Sequence, residues 1–127
     1  MLVADASAVI AALLNSKARN ALGGEVHVHA PHLMDSEVAS AIRARVRRGK
    51  LDSRAGWDLL ERYRRLGITR HSTLPLFERV WELREDLSAY DAAYVALAET
   101  LGCSLLTGDA RISRAPGLRC AVTVLPG

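Results

Sequence analysis

Asp5, Glu37, Asp91 and Asp109 are the side chains of this sequence whose type and spacing best suit chemistry. Each falls where an apolar run is about to end or a helical pattern is about to begin. In an open α/β sheet such positions gather along one edge, and ligands bind there, outside the carboxyl ends of the strands. Carboxylates gathered in this way repel one another, and the arrangement persists when a cation sits among them; oxygen-only ligands suit Mg²⁺ or Mn²⁺. The chemistry implied is metal-assisted attack on a phosphodiester. The ion would neutralise the charge that repels the nucleophile, activate a water and stabilise the leaving oxygen.

Taken singly, each acid has an ordinary structural role. Asp5 is a good N-cap. Glu37 lies near the start of a helix, where its charge favours the dipole. Asp91 completes the capping-box pattern Ser88-Ala89-Tyr90-Asp91. Asp109 follows a glycine in a turn. Jointly they differ from Glu61, Glu78, Glu82, Glu85 and Asp86, which lie among charged neighbours and read as surface. Ser7, two residues past Asp5, and Thr107, two before Asp109, are spaced to orient those acids by hydrogen bonding; capping or a turn bond is the alternative for either.

The elements that must position these residues follow from apolar periodicity and its punctuation. Strands are expected at Leu2–Ala4, Val26–Ala30 (ended by Pro31), Ile68–His71, Ser104–Thr107 and Ala121–Leu125. Helices are expected at Ser7–Leu14, in a short piece between Asn15 and the Gly23-Gly24 pair, and at Leu33–Arg48, Ser53–Leu66, Pro75–Leu87 and Ala89–Leu101, with a short helix or loop running to Gly117. Met34, Val38, Ile42 and Val46 form an inward stripe, as do Trp57, Leu60 and Tyr63. The alternation of strand and helix makes this an α/β chain with parallel strands and right-handed crossovers.

The chain has 127 residues, half of them apolar, which suits one domain spanning 1–127. The net charge is +3, and lysine supplies only Lys17 and Lys50, so arginine carries the positive charge. Arg43, Arg45, Arg47, Arg48 and Lys50 cluster, as do Arg62, Arg64 and Arg65. The first group could neutralise a nucleic-acid backbone around the acids, or form a solvated helix face. Cys103 and Cys120 lack metal-ligand spacing. His27 and His29 share a strand face near His32 and are expected at an edge or surface rather than on zinc. Neither a signal peptide nor a membrane-spanning run is visible, and a cytoplasmic protein is expected.

The segments Asp5–Leu14 (DASAVIAALL), Met34–Val46 (MDSEVASAIRARV) and Ser88–Ile112 (SAYDAAYVALAETLGCSLLTGDARI) together resemble the PIN-domain ribonucleases, specifically the VapC toxins of type II toxin–antitoxin pairs. The resemblance implies a PIN-like three-layer α/β/α fold with a mainly parallel sheet. It implies that Asp5, Glu37, Asp91 and Asp109 form an acidic Mg²⁺/Mn²⁺ site supported by Ser7 and Thr107. Arg111 would contact substrate phosphate or brace the acids. It further implies an endoribonuclease acting on RNA, often tRNA or rRNA, that forms a homodimer and is blocked by a cognate VapB-type antitoxin. The expected products carry 5′-phosphate and 3′-hydroxyl ends.

Other readings compete. A receiver domain would need a late lysine, and a HAD-type phosphatase a D-x-D near the start; the sequence has neither. An inert PIN fold that binds RNA or antitoxin without turnover is the non-enzymatic alternative. The aromatics Trp57, Tyr63, Phe77, Trp81 and Tyr94 fall at helical spacing and read as core or dimer interface rather than as a stacking platform.

Overall fold

A computed structural model describes residues 1–22 and 27–126. Five parallel strands lie in the order β3-β2-β1-β4-β5: β1 (Leu2–Ala4), β2 (Val28–Pro31), β3 (Thr69–His71), β4 (Ser104–Thr107) and β5 (Val122–Val124). The helices are α1 (Ala6–Leu14), α2 (Ser16–Leu22), α3 (Leu33–Arg47), α4 (Ser53–Arg64), α5 (Phe77–Glu82), α6 (Ala89–Leu101) and α7 (Ala110–Ser113), with a 3₁₀ turn at Leu74–Leu76.

From β1 the chain steps outward to β2 and β3, then returns across the sheet to β4 and on to β5. Right-handed crossovers place helices of the outward and return paths on opposite faces. The packing agrees: α1, α3 and α4 contact one another, while α5 packs on α6, which lies over β1, β2 and β4. The result is the three-layer α/β/α arrangement, with every strand pair parallel. The direction of travel reverses between β1 and β4, and a crevice opens at such a switch point, outside the carboxyl ends of the two strands.

The core owes its density to small residues where layers meet. In α6 the whole run Ala92–Ala98 is buried, with alanines at 92, 93, 96 and 98 letting the helix sit close to the sheet. A helix apolar on all sides belongs in such an interior. Gly56 does the same between α3 and α4: a Cβ there would meet Val46 Cγ2 at 2.9 Å.

Three expectations need correction. Trp57 is 51% exposed; the inward face of α4 is Gly56, Leu59 and Tyr63, because the glycine lets α3 approach on that side. The helix expected over Pro75–Leu87 is broken. Proline occupies the 3₁₀ turn, α5 stops at Glu82, and residues 83–87 close in tight turns with Leu83 accepting from Asp86 and Leu87. Phe77 and Trp81, read from the sequence as core or dimer interface, are exposed in the single chain. β2 continues through Pro31, which is in register with His71; Val26, Gly23 and Gly24 lie outside the described residues. His27 and His32 are exposed, and His29 Nδ1 lies 2.8 Å from His71 Nε2. No helix among the described residues is long and apolar enough to cross a membrane.

Candidate active site

Asp5 follows β1 directly and caps α1, its Oδ1 accepting from the Ala8 amide at 2.9 Å. It is 5% exposed, yet both carboxylate oxygens are satisfied. Ser7 Oγ donates to Oδ1 at 2.6 Å, and the Thr107 hydroxyl donates to Oδ2. Thr107 ends β4, the neighbour of β1, and is completely buried. Its Oγ1 also accepts from the Asp109 amide at 2.9 Å, and Ser7 Oγ accepts from the Gly108 amide at 2.8 Å. A Cβ on Gly108 would come within 3.1 Å of Ser7 Oγ, so the lack of a side chain there permits the close approach. D-x-S and T-G-D, a hundred residues apart in sequence, thus interlock at the switch point, with both hydroxyls turned to Asp5 and the Asp109 carboxylate left out of their reach.

Glu37 and Asp91 approach from helices on opposite faces. In parallel α/β units the helix N-termini lie at the carboxyl edge of the sheet, where their partial positive charge favours acids. Asp91 stands in the first turn of α6, whose cap Ser88 accepts from the Asp91 amide at 3.1 Å. Glu37 lies one turn into α3, and the buried Tyr94 donates its hydroxyl to Glu37 Oε1 at 2.6 Å. Helical spacing alone marks Tyr94 as a core or interface residue and leaves its hydroxyl without a role. The sequence signal for more was its spacing, three residues after Asp91 and so on the same helical face.

The electrostatics mark these acids as a group. Burial pushes the Glu37 carboxyl above its ordinary pKa; the Tyr94 hydrogen bond opposes this, while repulsion from Asp91 and Asp5 adds to it. Asp91 is also raised, first by burial, then by Asp5 and Asp109. Among the described residues no arginine or lysine forms an ion pair with Asp5, Glu37 or Asp91. Asp109 differs. It caps α7, and Arg111 grips it through Nε (3.0 Å to Oδ1) and Nη2 (2.8 Å to Oδ2), holding its carboxyl below the ordinary range. Arg111 therefore braces an acid here, and its exposed side chain can turn to solvent or to a ligand.

Nearby Asp35 provides a contrast. It accepts from Tyr63 at 2.6 Å and from Arg70 Nε at 2.9 Å, and the Arg70 hydrogen bond holds its pKa down. Its charge is already answered, whereas those of Asp5, Glu37 and Asp91 are not. Along α3, Arg43 stands six residues from Glu37, about 9 Å, and Arg47 ten residues, about 15 Å.

The donor set suits a hard divalent cation. It is all oxygen, mutually repulsive, and oriented by fixed hydroxyls. Among the described residues no three His, Cys, Asp or Glu side chains stand close enough together to hold an ion by themselves.

Residues 2–118 match the family model described as PIN domain. The chain is 50% identical over 127 residues to the ribonuclease VapC9 of Mycobacterium tuberculosis, covering 99% of each chain. Its fold is similar to that in the crystal structure of VapBC2 from Rickettsia felis bound to a DNA fragment from their promoter (TM-score 0.71, 11% identity, 97% of each chain). It is similar too to the sarcin-ricin loop cleaving toxin VapC20 of Mycobacterium tuberculosis (TM-score 0.67, 18% identity, 93% of this chain and 97% of that one). With the PIN model matched over most of its length and half its residues shared with VapC9, the chain belongs to the PIN-domain family and, within it, to the VapC ribonucleases.

Proposed function

We propose that this protein is the ribonuclease toxin of a VapBC-type toxin–antitoxin pair, hydrolysing RNA phosphodiester bonds at the acids of the β1/β4 switch point. The observation that carries the reading is that Asp5, Glu37 and Asp91, none of them in an ion pair among the described residues, lie near enough to repel one another at the edge where a ligand would bind. Full-length identity to a protein named a ribonuclease supports the reaction class.

In this reading Asp5, Glu37, Asp91 and Asp109 would hold Mg²⁺, or Mn²⁺ in its place. When bound, the ion supplies charge neutralisation at the phosphodiester and a more acidic water. The chain's own part is positional. Ser7 and Thr107 fix the Asp5 carboxylate, Tyr94 fixes Glu37, and the Ser88 cap sets the first turn of α6 that presents Asp91. Arg111 holds Asp109 in the free protein and is placed to exchange that contact for a substrate phosphate. A VapB-type antitoxin as inhibitory partner and a homodimer as the working assembly belong to the same proposal. The VapBC2 complex supports the first by likeness of fold.

The test is incubation of purified, antitoxin-free protein with total cellular RNA, with Mg²⁺ or Mn²⁺ and with EDTA. Discrete fragments that need the metal support the proposal. Intact RNA with folded, metal-supplemented protein would transfer the weight to an inert RNA- or antitoxin-binding module.

A further inference from the structure

Two of the three tyrosines have their hydroxyls committed to carboxylates, Tyr63 to Asp35 and Tyr94 to Glu37, and both rings are buried. The third, Tyr90, is 63% exposed. Its position is set by two neighbours on α6. It immediately precedes Asp91, and it stands four residues before Tyr94, which puts its ring on nearly the same face one turn nearer the helix N-terminus. That end of α6 opens at the carboxyl edge of the sheet. Tyr94 reaches inward from this face to Glu37, and Tyr90, one turn nearer the open end of the helix, presents its exposed ring on nearly the same face. Asp91, next to Tyr90 in sequence, lies within electrostatic reach of Asp109 and of the exposed Arg111 that grips it.

We infer that Tyr90 is a stacking site for one unpaired nucleobase of the RNA, holding the nucleotide next to the scissile phosphate over the acids. The inference rests on the ribonuclease reading and adds a substrate-binding residue to it. Every base has a π-face, so such a ring favours single-stranded over duplex RNA without selecting a base. The ring is the active part; the hydroxyl is dispensable.

The experiment measures kcat and KM of the full-length protein on a single-stranded oligoribonucleotide containing its cleavage site, for wild type, Tyr90→Ala and Tyr90→Phe. Melting curves confirm the fold, which an exposed side chain should not perturb. The expected result is a KM raised roughly ten-fold in Tyr90→Ala with kcat within about two-fold, and wild-type behaviour in Tyr90→Phe. An unchanged KM in Tyr90→Ala, or equal damage in Tyr90→Phe, would overturn the inference. Fluorescence anisotropy of the labelled oligonucleotide separates this failure from that of the ribonuclease reading. If wild type cleaves nothing but binds, weaker binding by Tyr90→Ala alone still supports the stacking site, and equal binding by all three overturns it. Absence of wild-type binding overturns it as well.

Discussion

The Tyr94 hydroxyl and the Glu37 carboxylate meet at 2.6 Å, joining α6 on one face of the sheet to α3 on the other. The bond orients Glu37 and opposes the rise in its pKa that burial causes. Burial and Glu37 in turn keep the Tyr94 phenol protonated, well above its ordinary value, so it acts as a donor at any working pH.

Tyr94→Phe therefore keeps the packed ring and removes the donor. Glu37 loses the interaction that lowers its pKa, so it takes up a proton at higher pH than in wild type. Since the ionised form would hold the cation, the acid limb of the pH–rate profile should move to higher pH. Activity at neutral pH should fall about ten-fold, the scale of supporting hydrogen bonds around metal ligands. An unmoved acid limb would show that the bond has no part in catalysis.

Thr107→Val tests the anchor of Asp5. The change keeps the shape and deletes a hydroxyl that donates to Asp5 and accepts from the Asp109 amide. Two polar groups lose a partner where Thr107 is completely buried. Denaturant melts should show a loss of about 1–3 kcal/mol, and cleavage should drop with it. Wild-type stability would mean that water or a rearranged turn replaces the hydroxyl.

Asp91→Asn should stabilise the metal-free fold at neutral pH while abolishing cleavage. Burial, Asp5 and Asp109 raise the Asp91 pKa, so the folded chain binds this proton more tightly than the unfolded chain. Unfolding releases it, and stability falls as pH climbs from the ordinary carboxylate value through the raised one. In EDTA at pH 7 the variant should melt a few degrees above wild type, the effect of roughly 1 kcal/mol. The gap should close below about pH 4, where both states are protonated. A variant that melts lower at pH 7 would mean that Asp91 is a structural cap rather than a strained acid.

Arg79 and Glu99 offer a control away from the site. Arg79 Nε lies 2.6 Å from Glu99 Oε1, and Arg79 also reaches the Gly117 carbonyl at 2.8 Å, tying α5 and α6 to the loop before β5. Burial alone would raise Glu99, but its bonds to Arg79 and the Arg119 amide outweigh it, so the pair stabilises at neutral pH and less as Glu99 protonates in acid. Arg79→Ala leaves a largely buried carboxylate with no cation and only the Arg119 amide as donor, which costs on the order of 3 kcal/mol. Well below the melting temperature, kcat/KM should be unchanged.

Much of this arrangement is legible in the sequence where chemistry and punctuation coincide. α6 begins and ends where Ser88 and Gly102 place it, because Ser88 caps the Asp91 amide and Gly102 adopts φ 67°. β4 and the T-G-D turn follow for the same reason. The face of α4 is not legible, because its deciding residue is Gly56, which contributes by lacking a side chain and is invisible to apolar counting. The partnership of Tyr94 with Glu37, and the lack of an ion pair at Asp91 and Glu37 among the described residues while Asp35 is tied to Arg70, depend on which helices the crossovers bring together. Glu37 and Asp35 are two residues apart with similar local sequence, and only tertiary contacts separate them.

The most direct measurement is the cleavage rate on one RNA, in saturating Mg²⁺ or Mn²⁺, for Asp5→Asn, Glu37→Gln, Asp91→Asn and Asp35→Asn beside wild type. If the acids of the switch point hold the cation for RNA hydrolysis, each of the first three falls by at least about a hundred-fold. Asp35→Asn, whose charge is already answered by Arg70, keeps most of its activity at temperatures where it is folded. Full activity in any of the first three, or a matching collapse in Asp35→Asn, would contradict this assignment.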